Sequence, residues 1–480
     1  MRRVMALIGF SSFFVSLFCI YFKLEFTIAL FSVALVGLIV VLLVKKIRLS
    51  ILIVLLCTVM VSCLNCYVTD KQIEKYKVIY CYKETKISGK LLDYPEVSDS
   101  GFKYIFKTTD ENKVKFSIMS NDMLDAKPGD IITGSFEFDD RYANPEDKIY
   151  FSAYTYSTSN IKVVSKNEFN IAKIRKALKQ GIVDNTTYAR GLTKAILFSD
   201  KSGLSDEVYS HLQRCGLLHA TATSGLHLTI VTGFVFALMS FLGVSRKKSS
   251  IFAIVFIVLF MLVIGFRFSL MRAGIMMIIY FSANLFDREN DAFNAIGLSI
   301  AFLTLQNPYT TVSCSFLLSV SATIGMLIAF KYLNAKVNSL NFKRFVNMKK
   351  VFVAVSASVL QSASAIIFTL PVTYLFFGYF SIAGIVANAI LSFFISAILI
   401  LGLIICLTSF VPVIPIVLGD VLDVICQIVL KIIAKISEFK YCLVDIDFVY
   451  MAFAISFCFL AVSISVLVYY FAKFDKKRGN

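Results

Sequence analysis

Two of the chain's three histidines lie eight residues apart in the stretch from His219 to His227, with Thr223, Ser224 and Gly225 between them and apolar sequence on either side. Imidazole and hydroxyl groups at this spacing can hydrogen-bond, relay a proton or line a polar path through a membrane. If residues 216–243 form one helix, the step of about 100° per residue places His219, Thr223 and His227 within an arc of about 80°, with Ser224 beside them. Ionisable side chains in a spanning segment face a bundle interior or a watery cavity, because exposing them to lipid costs several kcal/mol. The stretch is therefore a candidate functional face. The alternative is a polar stripe that only binds helices together.

The elements that must position this face are membrane spans. Hydrophobic residues make up 58% of the 480 and charged residues 16%, and apolar runs of spanning length recur from end to end. Spans are predicted at 4–22, 26–44, 49–67, 216–243, 251–266, 270–286, 292–306, 311–330, 351–375, 382–409, 412–434 and 447–472. The net charge of +17 is concentrated in short loops on one side of that map. There, 19 Lys/Arg stand against 4 Asp/Glu, so +15 of the total reads as the positive-inside bias and says orientation rather than partner. Both termini are placed in the cytoplasm, and the first span reads as an anchor rather than a removed signal peptide.

Two of these spans are short. Ile251 to Ile264 and Ala273 to Phe286 hold 14 residues each, about 21 Å as helix against a hydrocarbon core of about 30 Å. A buried, broken hairpin is expected there, with Gly265, Arg267, Ser269 and Arg272 at its tip. Arg267 suits an exposed turn better than Arg272 does.

Between Cys81 and Ser165 the apolar period changes to two, at Phe102, Tyr104, Phe106, then Val114, Phe116, Ile118, then Ile132, Gly134, Phe136, Phe138. Turn residues divide the run into about five short strands, the number a small barrel of the OB type needs. This segment carries 11 Lys/Arg against 14 Asp/Glu, which argues against a strong electrostatic grip on DNA. Its alternating aromatics read as barrel core rather than stacking platforms. Beyond it, Ile171 to Gln180 reads as a basic amphipathic helix which, with Gly191 to Phe198, lies on the membrane surface, where lipid headgroups or an incoming polyanion could meet it.

Most of the cysteines fall within spans and behave as small hydrophobes. Cys63 and Cys66 lack the further ligands of a metal site, and no metal or other cofactor is expected. Cys66 and Cys81 fall near the outer side, where an oxidising setting would permit a disulfide.

The stretch from Gly216 through Gly225 to His227 resembles the "G-L-x-H-L-L-A-I-S-G-L-H" signature of the ComEC-type competence membrane proteins, with Thr223 where isoleucine is usual. Weaker likenesses are Asn144-Pro145, without the family's second glycine, and Ser269 to Ala273, where Phe268 replaces a proline. The run around Phe316 and the stretch from Pro371 to Asn388 are also similar to the family's. The resemblance implies an inner-membrane channel that admits transforming DNA as a single strand. Many members continue into a metallo-β-lactamase-like domain. Ending at Asn480 with His211, His219 and His227 alone, this chain is expected to lack that domain and its two-metal site. A separate nuclease would then degrade the other strand.

The fold class expected is a polytopic α-helical membrane protein of about twelve spans, with one re-entrant hairpin and an inserted extracytoplasmic OB-like β domain. Its parts are residues 1–68 (N-terminal spans), 69–165 (β domain), 166–215 (surface helices) and 216–480 (channel domain). Channel lining is expected from His219, Thr223, Ser224, His227 and Arg272, with His227, Ser224 and Arg272 sharing a mid-membrane cavity. There is no G-x-x-x-x-G-K-[ST] loop for ATP and no G-x-S-x-G elbow. The chain therefore reads as no enzyme, and the driving force must come from a helicase-like ATPase or an ion gradient. A DNA receptor and a second copy of the chain are further expected partners. Two other functions fit the same polar face: a small-molecule or lipid transporter with a midplane site, and an intramembrane hydrolase with a histidine base.

Overall fold

The computed structural model describes residues 3–43, 49–98, 101–140, 143–155, 161–164, 170–330, 346–381, 383–411, 413–439 and 442–445. The predicted span at 447–472, the basic stretch after it and most of the basic loop 331–350 lie outside the described residues. Two compact units emerge, residues 1–181 with 232–313, and residues 182–231 with 314–480.

In the first unit, α1 (Val4–Leu43) is a single helix of 40 residues. The two spans expected at 4–22 and 26–44 are therefore joined, because Phe22 to Glu25 hold no residue that breaks a helix. Next, α2 (Leu49–Tyr80) runs 32 residues, about 48 Å, so it outlasts its apolar part. This excludes the Cys66–Cys81 disulfide: about 22 Å of unbroken helix separates two groups whose Cα atoms would have to approach within about 7 Å. Both thiols are free and buried, Cys66 in a cluster with Cys19 and Cys63.

The strands β1 (Glu84–Leu91), β2 (Glu96–Ser98), β3 (Gly101–Thr108), β4 (Lys115–Ser120), β5 (Ile131–Asp139), β6 (Ile149–Thr155) and β7 (Lys162–Val164) follow. Five of them close a barrel in the order β1-β3-β4-β6-β5 and back to β1, with β4 and β6 parallel. Its interior holds Tyr104, Phe106, Phe116, Phe138 and Phe151, all fully buried. The alternating aromatics are thus core, each ring leaning on the next at centroid separations of 4.9 to 6.1 Å.

The last turn of α2 is part of that core. Tyr80 stacks on Phe151 at 4.8 Å and donates its hydroxyl proton to Asp110 in the β3–β4 turn. Burial alone would raise the Asp110 carboxyl. Hydrogen bonds from Thr108, Tyr80 and the Lys113 backbone instead hold it below the usual aspartate range, while burial and the Asp110 bond push Tyr80 up to about 12. The last turn of α2 is therefore packed into the barrel core.

Helix α3 (Ile171–Asn185) does not lie free. Arg175 pairs with Asp93 of the barrel and donates to the Val263 carbonyl, and Lys176 sits 4.6 Å over the Tyr94 ring. Its cations serve the protein's own groups before any headgroup.

The helices α7 (Arg246–Ile264) and α8 (Phe268–Leu285) correct the short hairpin: with 19 and 18 residues each reaches about 27 Å. Basic and polar residues extend α7 at its start, Phe268 to Arg272 are helical, and only Gly265 to Arg267 turn. Gly265 takes φ +109°, open to a residue without Cβ. Helix α9 (Ala292–Gln306) ends at Asn307, which is buried and donates both amide protons to the Pro145 and Glu146 carbonyls at 2.8 Å. Asn144-Pro145 is thus a docking turn that fastens the barrel to the helices.

In the second unit, α4 (Arg190–Phe198) is buried along seven of its nine residues. The expectation that Gly191 to Phe198 lies on a surface is overturned, since Gly402 admits Thr193 against a later helix. Six helices among the described residues are long and apolar enough to cross a membrane, with three shorter apolar ones beside them.

Replacing Asn307 with alanine leaves two half-buried carbonyls without this partner, an expected cost of about 1 kcal/mol. The check is faster hydrogen exchange at residues 143–150, with α7 and α8 unchanged. For Asp110 the depressed folded value contributes stability that is fully present above pH 3.8 and is lost as pH falls below that through the lower folded value. The Asp110→Asn protein should accordingly lose less melting temperature than wild type between pH 6 and pH 3.

Candidate functional site

The stretch 216–243 is not one helix. Gly216 takes φ +66°, Leu218–Thr221 form a 3₁₀ turn, Ala222 is extended, and α6 (Gly225–Phe241) starts only afterwards. The expectation of one polar helical face is therefore replaced by a folded loop. Its cause is tertiary: a Cβ on Gly216 would lie 2.8 Å from Ser381, whose hydroxyl donates to the Arg214 carbonyl. Ser381 also accepts from the Gly384 backbone near the start of a later helix, α12 (Ala383–Thr408), which follows α10 (Cys314–Gly325) and α11 (Val346–Phe377).

Each polar side chain of the loop first serves backbone. The exposed His219 bonds the Gly216 carbonyl through Nδ1 at 2.9 Å. A carbonyl only accepts, so Nδ1 carries the proton. Asn388 lies beside this ring on α12. Thr223 is buried, with its N–H donating to Ser199 Oγ and its own hydroxyl 2.6 Å from the same oxygen. Its role is to hold the loop to the end of α4. Ser224 stands just before α6, and its backbone N–H donates to His227 Nδ1 at 2.9 Å, with its hydroxyl 2.8 Å from the same nitrogen. This is the reciprocal half of a capping box, with histidine at the third helical position where Glu or Gln is usual.

The tautomer of His227 follows. A backbone N–H can only donate, so Nδ1 is bare and the neutral ring carries its proton on Nε2. The residue is 2% exposed, and Nε2 has no hydrogen-bond partner among the described residues, although the Ala220 carbonyl lies near the ring. A buried donor without an acceptor is costly and unusual. The Nε2–H of His227 is thus the one polar group of the motif whose nearest acceptor, the Ala220 carbonyl, is not in good hydrogen-bond geometry.

Arg272 belongs to the first unit, on α8, buried, with Nη1 3.1 Å from Met276 Sδ. Ser269 is buried on the same helix and Arg267 is exposed at the turn. Gly274 lets α7 pack closely, a Cβ there falling 2.5 Å from Met261. Of the remaining motif positions, Phe316 is fully buried in α10 and Pro371 lies inside α11. Among the described residues no cluster of three or more His, Cys, Asp or Glu could hold a metal ion.

A further set of residues was not legible as functional. Asp423, on α13 (Ile414–Ser437), accepts three backbone N–H groups, those of Thr187, Tyr188 and Ala189, at 2.6 to 3.0 Å. One turn earlier, Gly419 passes so close to Asn185 that a Cβ would fall 1.7 Å from its carbonyl oxygen. Together they clamp the start of α4, and hence Ser199 and the loop, onto α13. The Gly-x-x-x-Asp spacing on one helical face is the only sequence signal.

Several apolar helices of spanning length, a closed barrel inserted among them and a polar loop folded into one unit define a membrane protein with a barrel domain. A family model described as "Competence protein" matches residues 196–472. The chain belongs to the Competence protein family. It is 30% identical over 181 residues to ComE operon protein 3 of Bacillus subtilis, covering 37% of this chain and 23% of that protein. It is 26% identical over 237 residues to Recombination protein 2 of Haemophilus influenzae, covering 48% and 29%. The matched parts thus span less than a third of either relative. No solved structure matches the chain.

Gly419→Ala should prevent the clamp from closing and lower the amount of folded protein. Asp423→Ala should cost about 1–2 kcal/mol, as the loss of a helix cap does, and Asp423→Asn less. Thermal unfolding in detergent, with protease sensitivity at residues 185–190, checks both.

Proposed function

We propose that this protein admits DNA across the bacterial inner membrane as a single strand during natural transformation, acting as a channel rather than an enzyme. The observation that carries the reading is membership of the Competence protein family over residues 196–472, the region that contains the loop at His227. A polyanion crossing hydrocarbon needs a path of fixed polar groups. His227 Nε2–H supports a place on it, as a buried donor held only loosely by the Ala220 carbonyl and so able to turn to a phosphate or base oxygen. His219, Ser224 and Arg272 are the other lining candidates, while Thr223 is spent on Ser199. The barrel's strand order, closed with a parallel β4–β6 pair, supports reading it as an OB-like module, placed on the outer side with both termini inside. The reading calls for a DNA receptor, a helicase-like ATPase and a separate nuclease as partners.

A strain lacking the gene should lose transformation and the internalisation of labelled DNA. Complementation with His227→Leu should leave uptake at the level of the deletion while the protein is inserted in normal amount. His227→Glu keeps an acceptor for the Ser224 N–H but removes the N–H donor, and so separates capping from transport: full uptake with Glu would assign the ring to capping alone. Normal transformation by the deletion strain would remove the reading in favour of a small-molecule or lipid transporter.

A further inference from the structure

Two thiols meet where the chain enters the signature loop. Helix α5 (Asp206–Arg214) ends at Cys215, whose N–H donates to the His211 carbonyl and whose thiol donates to the Ile433 carbonyl on α13 at 3.4 Å. Past the end of α13, the Cys442 N–H donates to the Phe439 carbonyl, a turn that folds Cys442 back over the helix. Its thiol donates there to the Ile436 carbonyl at 3.2 Å. Residues three apart on a helix are neighbours on one face. The two sulfurs therefore stand side by side over the last turns of α13, near enough to share a hydrogen bond, and both residues are buried.

The junction around them is thinly held. Cys442 leads directly into β9 (Leu443–Asp445), which pairs with β8 (Tyr379–Ser381), and each strand has only three residues. A two-stranded ladder is marginal even when longer. Ser381, in register with Leu443, is also the residue that holds the Arg214 carbonyl and crowds Gly216. The entrance of the loop, the ladder and the end of α13 thus converge on the two cysteines. Hydrogen bonds from sulfur are weak fastenings for such a junction. A buried cysteine that meets no other, such as Cys406, is explained as a small hydrophobe, whereas two that meet from distant parts of the chain can bond.

Among the described residues, no helix between the barrel and Cys215 exceeds the 15 residues of α3. That is about 22 Å, short of a hydrocarbon core of about 30 Å. Cys215 and its neighbour Cys442 therefore share the barrel's side of the membrane. The reading above places that side outside, where disulfides form and persist.

We propose that Cys215 and Cys442 are joined in the cell by a disulfide that staples the entrance of the loop to the end of α13. Its outer location rests on the reading above. The bond forms by exchange with an extracytoplasmic thiol oxidoreductase. One cysteine thiolate attacks the oxidoreductase disulfide and displaces one of its sulfurs, and the other cysteine then attacks the mixed disulfide and displaces the second. The two thiols of this chain give up two protons and two electrons, and the oxidoreductase leaves as a dithiol. Burial, with the Cys442 thiol beside it, pushes the Cys215 thiol up to about 12, so once enclosed it is protonated and inert. The bond must accordingly form while the chain folds.

The test starts from the wild-type, full-length protein. Cells are quenched in acid, free thiols are blocked with N-ethylmaleimide under denaturing conditions, and the digest is read by mass spectrometry. The expected result is a peptide pair linked through Cys215 and Cys442 and separated by reduction, with Cys406 and Cys426 blocked as free thiols. In detergent, dithiothreitol should lower the wild-type melting temperature by several degrees and leave that of a Cys215→Ala, Cys442→Ala protein unchanged. Both cysteines blocked in quenched cells, either one bonded to a different cysteine, or no loss of melting temperature on reduction would each overturn the proposal. If both are blocked, oxidised glutathione added to isolated membranes tells which premise failed. A bond formed at that point puts the pair on the reducing side, against the outer placement, and no bond means that the sulfurs do not meet. Transformation of the deletion strain tests the channel reading separately.

Discussion

Where a chain leaves the helical state among apolar side chains, every backbone N–H and C=O it frees must find a partner. Much of the second unit follows from meeting that requirement between Gly216 and Gly225. The Gly216 carbonyl is met by His219, the Thr223 N–H by Ser199, and the Ser224 N–H by His227. Ser199 can do this only because α4 is held in place, which is the work of Asp423 and Gly419 on α13. The polar residues of the motif are consumed by this need almost completely. What remains is one ring nitrogen, His227 Nε2, and the place of this loop in the proposed path depends on that remainder rather than on a polar face.

The first unit solves the same problem between a sheet domain and helices. Its solution is rigid attachment: α2 enters the barrel core through Tyr80, Asn307 pairs two carbonyls of the docking turn, and Arg175 joins Asp93 to the end of α7.

The barrel was legible from the sequence because period-two alternation and turn residues are local signals, and its aromatics were rightly taken as core. The signature loop was legible as a site but not as a shape. A run of apolar, Ser and Thr residues satisfies a helical pattern, and what breaks it is the close approach of Ser381 to Gly216, residues 165 positions apart. The Thr223 and Asp423 contacts are equally non-local. The short hairpin was misjudged because Phe268 to Arg272, set apart by their polar members, continue a helix once Gly265 has turned the chain. The joined α1 shows the reverse case, in which two spans were expected where no residue from Phe22 to Glu25 ends a helix.

The state of the His227 ring is the point at which the account is most exposed. Nitrogen-15 NMR of protein labelled at histidine in lipid, with the three rings assigned by single replacements, reads the tautomer of each. The account predicts a neutral His227 protonated at Nε2 and a His219 protonated at Nδ1 in its neutral form, with the His227 signal moving when single-stranded DNA is added. A His227 ring protonated at Nδ1, or doubly protonated at neutral pH, would contradict the capping arrangement on which the site is built.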